Sequence, residues 1–252
     1  MNEVVEDVRA KLLWMHKNII DERYVFIRIP KTGSASLNMA LFNVTWIAKE
    51  KRIRDNEARF LQAPDEGAWW DHYPATWVRE SLGPDAWNKS IKFAVVRNPF
   101  ARLYSLWKSN DISRETYTFK EWLLGGVPYG WTKEHHEVLC PPNPILSQKS
   151  WIADSSGNIM VNFICRLEEI NLIGTPMFSV ITTSDFKFAD HWMNKTSSVD
   201  EYKKHYDDEM KEFVFENCKD DLESFHYTFD GPKEFGWFYW EGDFAGEHIK
   251  GE

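Results

Sequence analysis

Residues 30–36 of the chain, PKTGSAS, place one lysine and one glycine among small hydroxyl residues, directly after an apolar segment. Lys31 supplies a compact positive charge, and Gly33 lets the backbone approach a bound group closely or take a positive φ angle. The hydroxyl donors of the run are Thr32, Ser34 and Ser36. A loop of this kind between a strand and a helix offers free N–H groups and the positive end of the helix dipole to an anion. The run therefore predicts an oxyanion site, the alternative being a polar turn with a surface lysine.

The order of residues in this run differs from that of the ATP-binding loop G-x-x-x-x-G-K-[ST], whose final hydroxyl holds Mg²⁺. Here Lys31 precedes Gly33, and no glycine lies five residues ahead of Gly33. A strand that ends in a metal-binding aspartate is also missing, apart from the segment FSVITTSD, which ends at Asp185. We therefore expect an anionic group whose transfer needs no metal ion.

A second group of polar residues follows another apolar run, in the segment FAVVRNPFARLYS that covers residues 93–105. Arg97 comes where a buried strand is predicted to end, which is the edge of an open α/β sheet that faces the ligand crevice. Ser105 lies about two turns along the predicted following helix. A guanidinium and a hydroxyl so placed can bind a second phosphate. The alternative is an arginine that caps a helix and a serine that packs on it, and Arg102 is expected at the surface or in an ion pair.

Strands and helices alternate around these two runs. Apolar β-prone segments predict strands over residues 24–29, 91–96 and 158–166. Helical spacing and stop signals predict helices over residues 5–19, 37–48, 74–83, 100–108, 118–124 and 207–225. With no internal repeat or linker in the sequence, we predict one α/β domain over residues 1–252. Its fold is a P-loop-like three-layer arrangement with a central parallel sheet flanked by helices, an N-terminal helix within residues 1–23 and an aromatic tail, residues 230–252, packed on the body.

Composition narrows the classes of function. A net charge of −9 argues against nucleic-acid and anionic-membrane partners. The three cysteines are far apart and form no C-x-x-C pair, which favours a reducing compartment. No signal peptide or apolar span is visible in the sequence, so a cytoplasmic protein is expected. The chain has 13 Trp, 17 Phe and 9 Tyr, most of them expected in the core.

Taken together, the runs PKTGSAS and RNPFARLYS resemble the sulfotransferase family, and most of all its carbohydrate O-sulfotransferase branch. The resemblance touches most of the chain between about residues 24 and 229. It continues through HYPATWVRESLGPDAWNKSIKFAVVRNPF, QKSWIADSSGNIMVNFICRLEEI and NKTS with the helix after it. It implies that the first loop holds the 5′-phosphosulfate of 3′-phosphoadenylyl sulfate (PAPS) and that the second run holds its 3′-phosphate.

The resemblance assigns cofactor contacts residue by residue. The implied set is Lys31, Thr32, Gly33, Ser34, Ala35, Ser36, Arg97, Ser105, Asn194 and Lys195. Ala35 stands where the family often has a hydroxyl residue, so the backbone N–H groups carry more of the contact there. Arg166 and Glu168 form an ion pair beneath the nucleotide in this interpretation, although a purely structural pair is the alternative.

Sulfuryl transfer from PAPS is an in-line displacement in which negative charge develops on the departing 5′-phosphate oxygen. Lys31 is assigned to that oxygen, where its contact strengthens in the transition state. His72 corresponds to a family histidine and is the expected base for the acceptor hydroxyl. His135 and His136 are the alternatives for this role. No metal ion is expected to be required.

Two other functions remain open from the sequence. One is a nucleotide-dependent kinase on a similar phosphate-binding fold, and the other is a degenerate PAPS- or nucleotide-binding module, which Ala35 would suit. The expected partner is a small-molecule or glycan acceptor with a free hydroxyl. The resemblance favours carbohydrate, and the Trp-rich segments 66–73 and 126–131 offer rings that stack on sugars. The sequence does not predict an oligomeric state.

Overall fold

The computed structural model describes residues 23–34, 37, 74–127, 146–171, 200–234, 236–239 and 247–250. The predicted N-terminal helix lies outside these residues, and so does the predicted helix over residues 37–48, apart from Leu37. The backbone N–H of Leu37 donates to the carbonyl of Gly33 at 3.1 Å, which is the hydrogen bond of a helical turn.

Short strands and short helices alternate along the described chain. The strands are β1 (Arg23–Ile27), β2 (Ser90–Val96), β3 (Phe163–Arg166), β4 (Tyr227–Thr228), β5 (Gly231–Pro232), β6 (Gly236–Tyr239) and β7 (Glu247–Lys250). The α-helices are α1 (Ala75–Leu82), α2 (Pro84–Asn88), α3 (Pro99–Ser109), α4 (Asp111–Thr116), α5 (Phe119–Leu124), α6 (Lys149–Ile152), α7 (Asp208–Asn217) and α8 (Lys219–Ser224). Two 3₁₀ helices cover Leu167–Glu169 and Glu201–His205.

The main sheet has the strand order β1-β2-β3-β6-β7. Strands β1, β2 and β3 are parallel, and Phe93 of β2 lies between Phe26 of β1 and Phe163 of β3. This confirms the prediction of an α/β fold with a parallel sheet flanked by helices. Strands β6 and β7 add an antiparallel extension, which the sequence did not predict. Strand β6, from the predicted aromatic tail region, thus covers the edge of β3, where unpaired backbone groups would otherwise remain, and β7 pairs with the outer edge of β6.

The core lies against one face of β2, whose seven residues are all buried. Ala94 and Val96 point to this face, because side chains alternate along a strand. Helix α3 packs there and begins at Asn98, whose side chain accepts a hydrogen bond from the N–H of Phe100 at 3.0 Å. The core residues contributed by helices include Phe100, Leu103, Leu106, Trp122, Trp151, Met210, Val214 and Leu222.

Two element boundaries differ from the prediction. The single helix predicted over residues 207–225 is two helices, because Cys218 leaves helical geometry with φ −112° and ψ 20°. The break turns Asp221 of α8 fully into the interior. The third strand is shorter than predicted, since residues 158–162 contribute only an isolated bridge, between Ile159 and Ala153, and a bend at Asn162.

Lys92 is a buried cation in the middle of the apolar strand β2. It is 8% exposed, and its ammonium group donates to the carbonyl of Trp87 at 3.3 Å and lies 5.4 Å from the centre of the Trp87 ring. Within the described part of the chain, no carboxylate lies at ion-pair distance from it. Burial lowers the pKa of Lys92 to about 8.

Replacing Lys92 with Met is expected to stabilise the fold at pH 7 by about 3 kcal/mol, since it removes the desolvation of a charged group. The wild-type free energy of unfolding should rise between pH 8 and pH 10.5. In this window the folded protein has released the Lys92 proton and the unfolded chain still holds it. Urea denaturation at several pH values measures the difference in free energy of unfolding between Lys92→Met and the wild type. This difference should shrink as the pH rises. The exposed neighbour Lys89, changed to Met, is the control, and equal effects of both changes would contradict the prediction.

Candidate anion-binding site

The loop that follows β1, residues 30–34, is called the anion loop below. Lys31 takes a left-handed backbone conformation with φ 66°, and Gly33 another with φ 75°. The hydroxyl of Thr32 donates to the carbonyl of Ile29 at 3.0 Å, so this hydroxyl proton stabilises the turn itself. Thr32 and Ser34 are buried, whereas Lys31 and Gly33 are partly exposed. Lys31 and Gly33 are therefore the residues of the turn that a ligand from solvent can reach, although both are only partly exposed.

Gly33 is required for two separate reasons. A non-glycine residue at φ 75° costs about 1–2 kcal/mol because its Cβ approaches the backbone. A Cβ built at this position would also lie 2.7 Å from Cδ1 of Leu167, a buried residue that follows β3. The loop thus rests directly on the end of the third strand.

Gly33→Ala and Gly157→Ala form a matched pair of variants. Gly157 also has a positive φ, of 83°, but a Cβ there meets nothing within 4 Å. Gly157→Ala should lower the free energy of unfolding by about 1–2 kcal/mol, and Gly33→Ala should lower it by more because of the contact with Leu167. Only Gly33→Ala should weaken the binding of pyrophosphate, measured by titration calorimetry, because Leu167 displaces the loop. Equal pyrophosphate affinity in the two variants would refute this role of Gly33.

The end of β2 lies beside the anion loop. Nη1 of Arg97 donates to the carbonyl oxygen of Lys31 at 3.3 Å, so the two predicted runs meet in space. Their side chains are both cationic, and within the described residues neither forms an ion pair with a carboxylate. Burial, and after it the charge of Arg97, lowers the pKa of Lys31. Two neighbouring cations without acidic partners make this place favourable for an anion.

Arg97 itself is held in a polar but constrained environment. Burial lowers the pKa of Arg97, and the nearby Glu168 opposes this effect. Glu168 does not pair with the guanidinium; it accepts hydrogen bonds from the N–H of Asn98 at 2.9 Å and the hydroxyl of Tyr227 at 2.7 Å. Asn98 Nδ2 also donates to the carbonyl of Thr228 at 2.8 Å. Arg97 and Asn98, called the Arg97 turn below, are therefore fixed by residues from the C-terminal part of the chain.

Arg102 is predicted at the surface or in an ion pair, and the surface placement is wrong. Its side chain has no exposed area, and Nε donates to the carbonyl of Pro30 at 3.0 Å. The two arginines of the RNPFAR segment thus hold consecutive carbonyls of the anion loop. The spacing of the two arginines is the sequence signal for this shared role, because Arg102 lies only about one turn along the helix that begins after Arg97.

The predicted ion pair between Arg166 and Glu168 is also wrong, because Arg166 pairs with a different carboxylate. Arg166 pairs with Glu169, with 2.6 Å between Nε and Oε2 and 3.1 Å between Nη2 and Oε1. The guanidinium also donates to three carbonyls, those of Phe225, Glu234 and Gly236. The reason is the 3₁₀ turn after β3, which directs Glu169 inward and Glu168 toward Asn98. Arg166 therefore ties the C-terminal strands to β3.

Ser105 lies on α3, two turns beyond the Arg97 turn, and is half-buried. Its hydroxyl makes no hydrogen bond with any described residue, and nothing joins it directly to Arg97. The other predicted site residues lie outside the described residues. These are Ala35, Ser36, His72, Asn194 and Lys195, together with the alternative bases His135 and His136.

The described part of the chain has neither a metal-binding cluster nor a membrane-spanning helix. No group of three or more His, Cys, Asp or Glu side chains in the described ranges is arranged to hold a metal ion. Among the helices that the structure describes, none combines the length and the apolar character needed to cross a bilayer.

Comparison with known proteins gives one match. Residues 18–142, about half of the chain, match the model described as the sulfotransferase family. The matched segment contains the anion loop, the Arg97 turn and Ser105, and it ends before Gln148 and Glu168. No curated protein and no solved structure matches the chain.

Proposed function

Because the chain is a member of the sulfotransferase family, we propose that it transfers a sulfuryl group from PAPS to an acceptor hydroxyl. The observation that carries the proposal is the contact between Arg97 and the carbonyl of Lys31, which brings together two cations that have no carboxylate partner among the described residues. PAPS carries an anionic group at each of two positions, and PAPS supplies the sulfuryl group when it is bound. A pair of adjacent cationic elements is what such a donor needs.

The anion loop binds the 5′-phosphosulfate in this proposal. Its backbone N–H groups and the following helical turn face the anion, and Lys31 stabilises the charge that develops on the leaving oxygen. The remaining loop contacts come from Thr32, Gly33, Ser34, Ala35 and Ser36. Thr32 takes part through its backbone, because its hydroxyl proton is already donated to Ile29.

The Arg97 turn binds the 3′-phosphate in this proposal. The guanidinium of Arg97 has donors beyond the one bonded to Lys31, and Ser105 keeps its hydroxyl proton for a ligand. The family resemblance adds Asn194 and Lys195 on the other side of the nucleotide. The acceptor in this proposal is a carbohydrate hydroxyl, which the resemblance and the Trp-rich segments 66–73 and 126–131 support.

A transfer assay tests the proposed function. Purified protein is incubated with ³⁵S-labelled PAPS, with EDTA, and with panels of sugars, phenols and lipids, and sulfated products are separated by chromatography. Label transferred to a sugar in the presence of EDTA supports the whole proposal. Transfer only to phenols or lipids overturns the carbohydrate assignment. Phosphate transfer that requires ATP and Mg²⁺ indicates a kinase, and 3′,5′-bisphosphoadenosine binding without turnover on any acceptor indicates a binding module.

His72 is the proposed base that takes the proton of the acceptor hydroxyl. His72→Ala should lower turnover by about 10²- to 10⁴-fold, the usual contribution of a general base. The affinity for 3′,5′-bisphosphoadenosine should change little, because the base contacts the acceptor. Steady-state kinetics and calorimetry measure the two effects, with His135→Ala as the comparison. Undiminished turnover in His72→Ala would exclude it as the base.

A further inference from the structure

The backbone of Arg97 is held by one side chain on both of its polar groups. The N–H of Arg97 donates to Oε1 of Gln148 at 2.8 Å, and Nε2 of Gln148 donates to the carbonyl of Arg97 at 2.8 Å. The amide thus bonds Arg97 as a neighbouring strand would, one residue beyond the end of β2. Gln148 has no exposed area. Both polar backbone groups of Arg97 are therefore satisfied, which fixes the direction of its side chain.

Asp221 determines which way the Gln148 amide points. Its Oδ2 accepts from the backbone N–H of Gln148 at 2.7 Å and from Nε2 of the same residue at 3.2 Å. Its Oδ1 accepts from the N–H of Lys149 at 2.9 Å. A carboxylate can only accept, so the NH₂ group of Gln148 must face Asp221 and the carbonyl oxygen must face the N–H of Arg97. The reversed amide would place two acceptors against each other on one side and two donors on the other.

The cost of burying Asp221 is offset by this arrangement. Asp221 is fully buried, and burial raises its pKa, which the hydrogen bonds from Gln148 and Lys149 and the nearby Arg102 oppose. A buried acidic group on a helix is expensive unless it is bonded in this way. The hydrogen bonds of Asp221 described above come from Gln148 and Lys149, the segment that bonds the backbone of Arg97. Neither Asp221 nor Gln148 lies within the segment that matches the family model.

We propose that Gln148 and Asp221 are positioning residues that orient Arg97 for recognition of the 3′-phosphate of the donor. The inference rests on the proposed function, because it takes Arg97 as the group that binds this phosphate. The pair does not touch the donor; it acts through the backbone of Arg97. Its effect should therefore be largest for ligands that carry the 3′-phosphate, and smaller for ligands that reach Arg97 only through its contact with the anion loop.

Gln148→Glu is the sharpest test, because it keeps the shape and replaces the donating NH₂ by an accepting oxygen. When both carboxyl groups are ionised, this oxygen faces Asp221 and the carbonyl of Arg97, which repel it. A proton shared by the introduced carboxyl group and Asp221 restores a donor, and this proton is held more readily at pH 5.5 than at pH 8. The other titratable or charged groups around the pair are Arg97, Arg102, Glu168 and Cys218. Calorimetry with 3′,5′-bisphosphoadenosine and with 5′-AMP, at both pH values, gives the contribution of the 3′-phosphate.

The expected result at pH 8 is a loss of about 10- to 100-fold in affinity for 3′,5′-bisphosphoadenosine, the usual effect of displacing a binding group slightly. The 5′-AMP affinity should fall by clearly less, and the loss for 3′,5′-bisphosphoadenosine should be smaller at pH 5.5 than at pH 8. Gln148→Met should show the same selective loss without reversal. Ser147→Ala, which removes a hydroxyl that lies 3.4 Å from Asp221 Oδ1 and accepts from the N–H of Ser150 at 3.2 Å, should keep the wild-type preference for 3′,5′-bisphosphoadenosine over 5′-AMP. If Gln148→Glu does not fold, the selective loss in Gln148→Met tests the inference by itself.

Two contrary outcomes are distinguishable. If the wild-type protein prefers 3′,5′-bisphosphoadenosine over 5′-AMP and both Gln148 variants keep that preference, the positioning role is refuted and the proposed function stands. If the wild-type protein has no such preference, the assignment of Arg97 fails, and the inference fails with it. Equal losses for both ligands would also overturn the inference, because they indicate a general loss of structure.

Discussion

Lys31→Asn is expected to lower the turnover of sulfuryl transfer by about 10³-fold, within the range observed when a group that stabilises a leaving oxygen is removed. Asparagine is the replacement of choice because Lys31 has φ 66°, a left-handed conformation that Asn adopts more readily than most residues. The change therefore removes the ammonium group and keeps the turn. Because burial and Arg97 disfavour the charged form of Lys31, the fold should lose no stability.

The pH dependence of 3′,5′-bisphosphoadenosine binding provides a second test of the role of Lys31. A bound phosphate favours protonated Lys31, so the affinity for 3′,5′-bisphosphoadenosine should fall as the pH rises through the pKa of this lysine. That pKa lies below the ordinary value for lysine because of burial and Arg97. The Lys31→Asn variant should lack this alkaline decline. Lys204→Asn, at an exposed position, is the control for the change in charge, and retention of wild-type turnover by Lys31→Asn would contradict the assignment.

Arg166→Met is expected to cost about 3–5 kcal/mol of the free energy of unfolding, the usual effect of breaking a buried ion pair. Arg166 has no exposed area, and its removal leaves Glu169 without its partner. Three carbonyl oxygens from the C-terminal part of the chain also lose their donor, and a buried acceptor without a donor carries a further penalty. Denaturation in urea, followed by tryptophan fluorescence, measures the loss.

Two further variants separate these contributions. Glu169→Gln keeps a hydrogen-bond acceptor for Arg166 and all three carbonyl contacts, so it should cost clearly less than Arg166→Met. Burial raises the pKa of Glu169, which already disfavours its charge. Arg79→Met, at an exposed position on α1, removes the same side chain without burial. A loss in Arg166→Met no greater than in Arg79→Met would show that the buried pair does not hold the C-terminal strands.

The parts of the fold that can be predicted from the sequence are those specified by local pattern. Strand β2 is a mainly apolar run, interrupted by Lys92, that ends just before Arg97, and Pro99 at the start of α3 has the fixed φ angle that a first helical turn requires. The helix Phe119–Leu124 agrees with its prediction within one residue, because Thr118 and Glu121 form a capping box. These signals act within a few residues, so they can be recognised in the sequence alone.

What the sequence did not predict depends on residues that are distant along the chain. The partner of Arg166 is Glu169 and not Glu168, which depends on the direction of one 3₁₀ turn. Gln148 begins one of the segments that resemble the family, but nothing in the sequence links it to Arg97, and no pattern places the side chain of Asp221 beside it. Arg102 is buried because the anion loop supplies a carbonyl for it, and the position of that loop follows from strand pairing. Such pairings are decided by the tertiary structure.

The bracing of the Arg97 turn has a consequence for the order in which the protein matures. Asn98 is bonded to Thr228, which emerges from the ribosome 130 residues later, and Arg97 is bonded to Gln148, 51 residues later. A nascent chain can pair β1 with β2 well before these partners exist, since synthesis proceeds from the N-terminus. Contacts of such long sequence separation also form slowly in refolding. We therefore expect the bracing of the Arg97 turn, and any function that depends on the position of Arg97, to form late in folding.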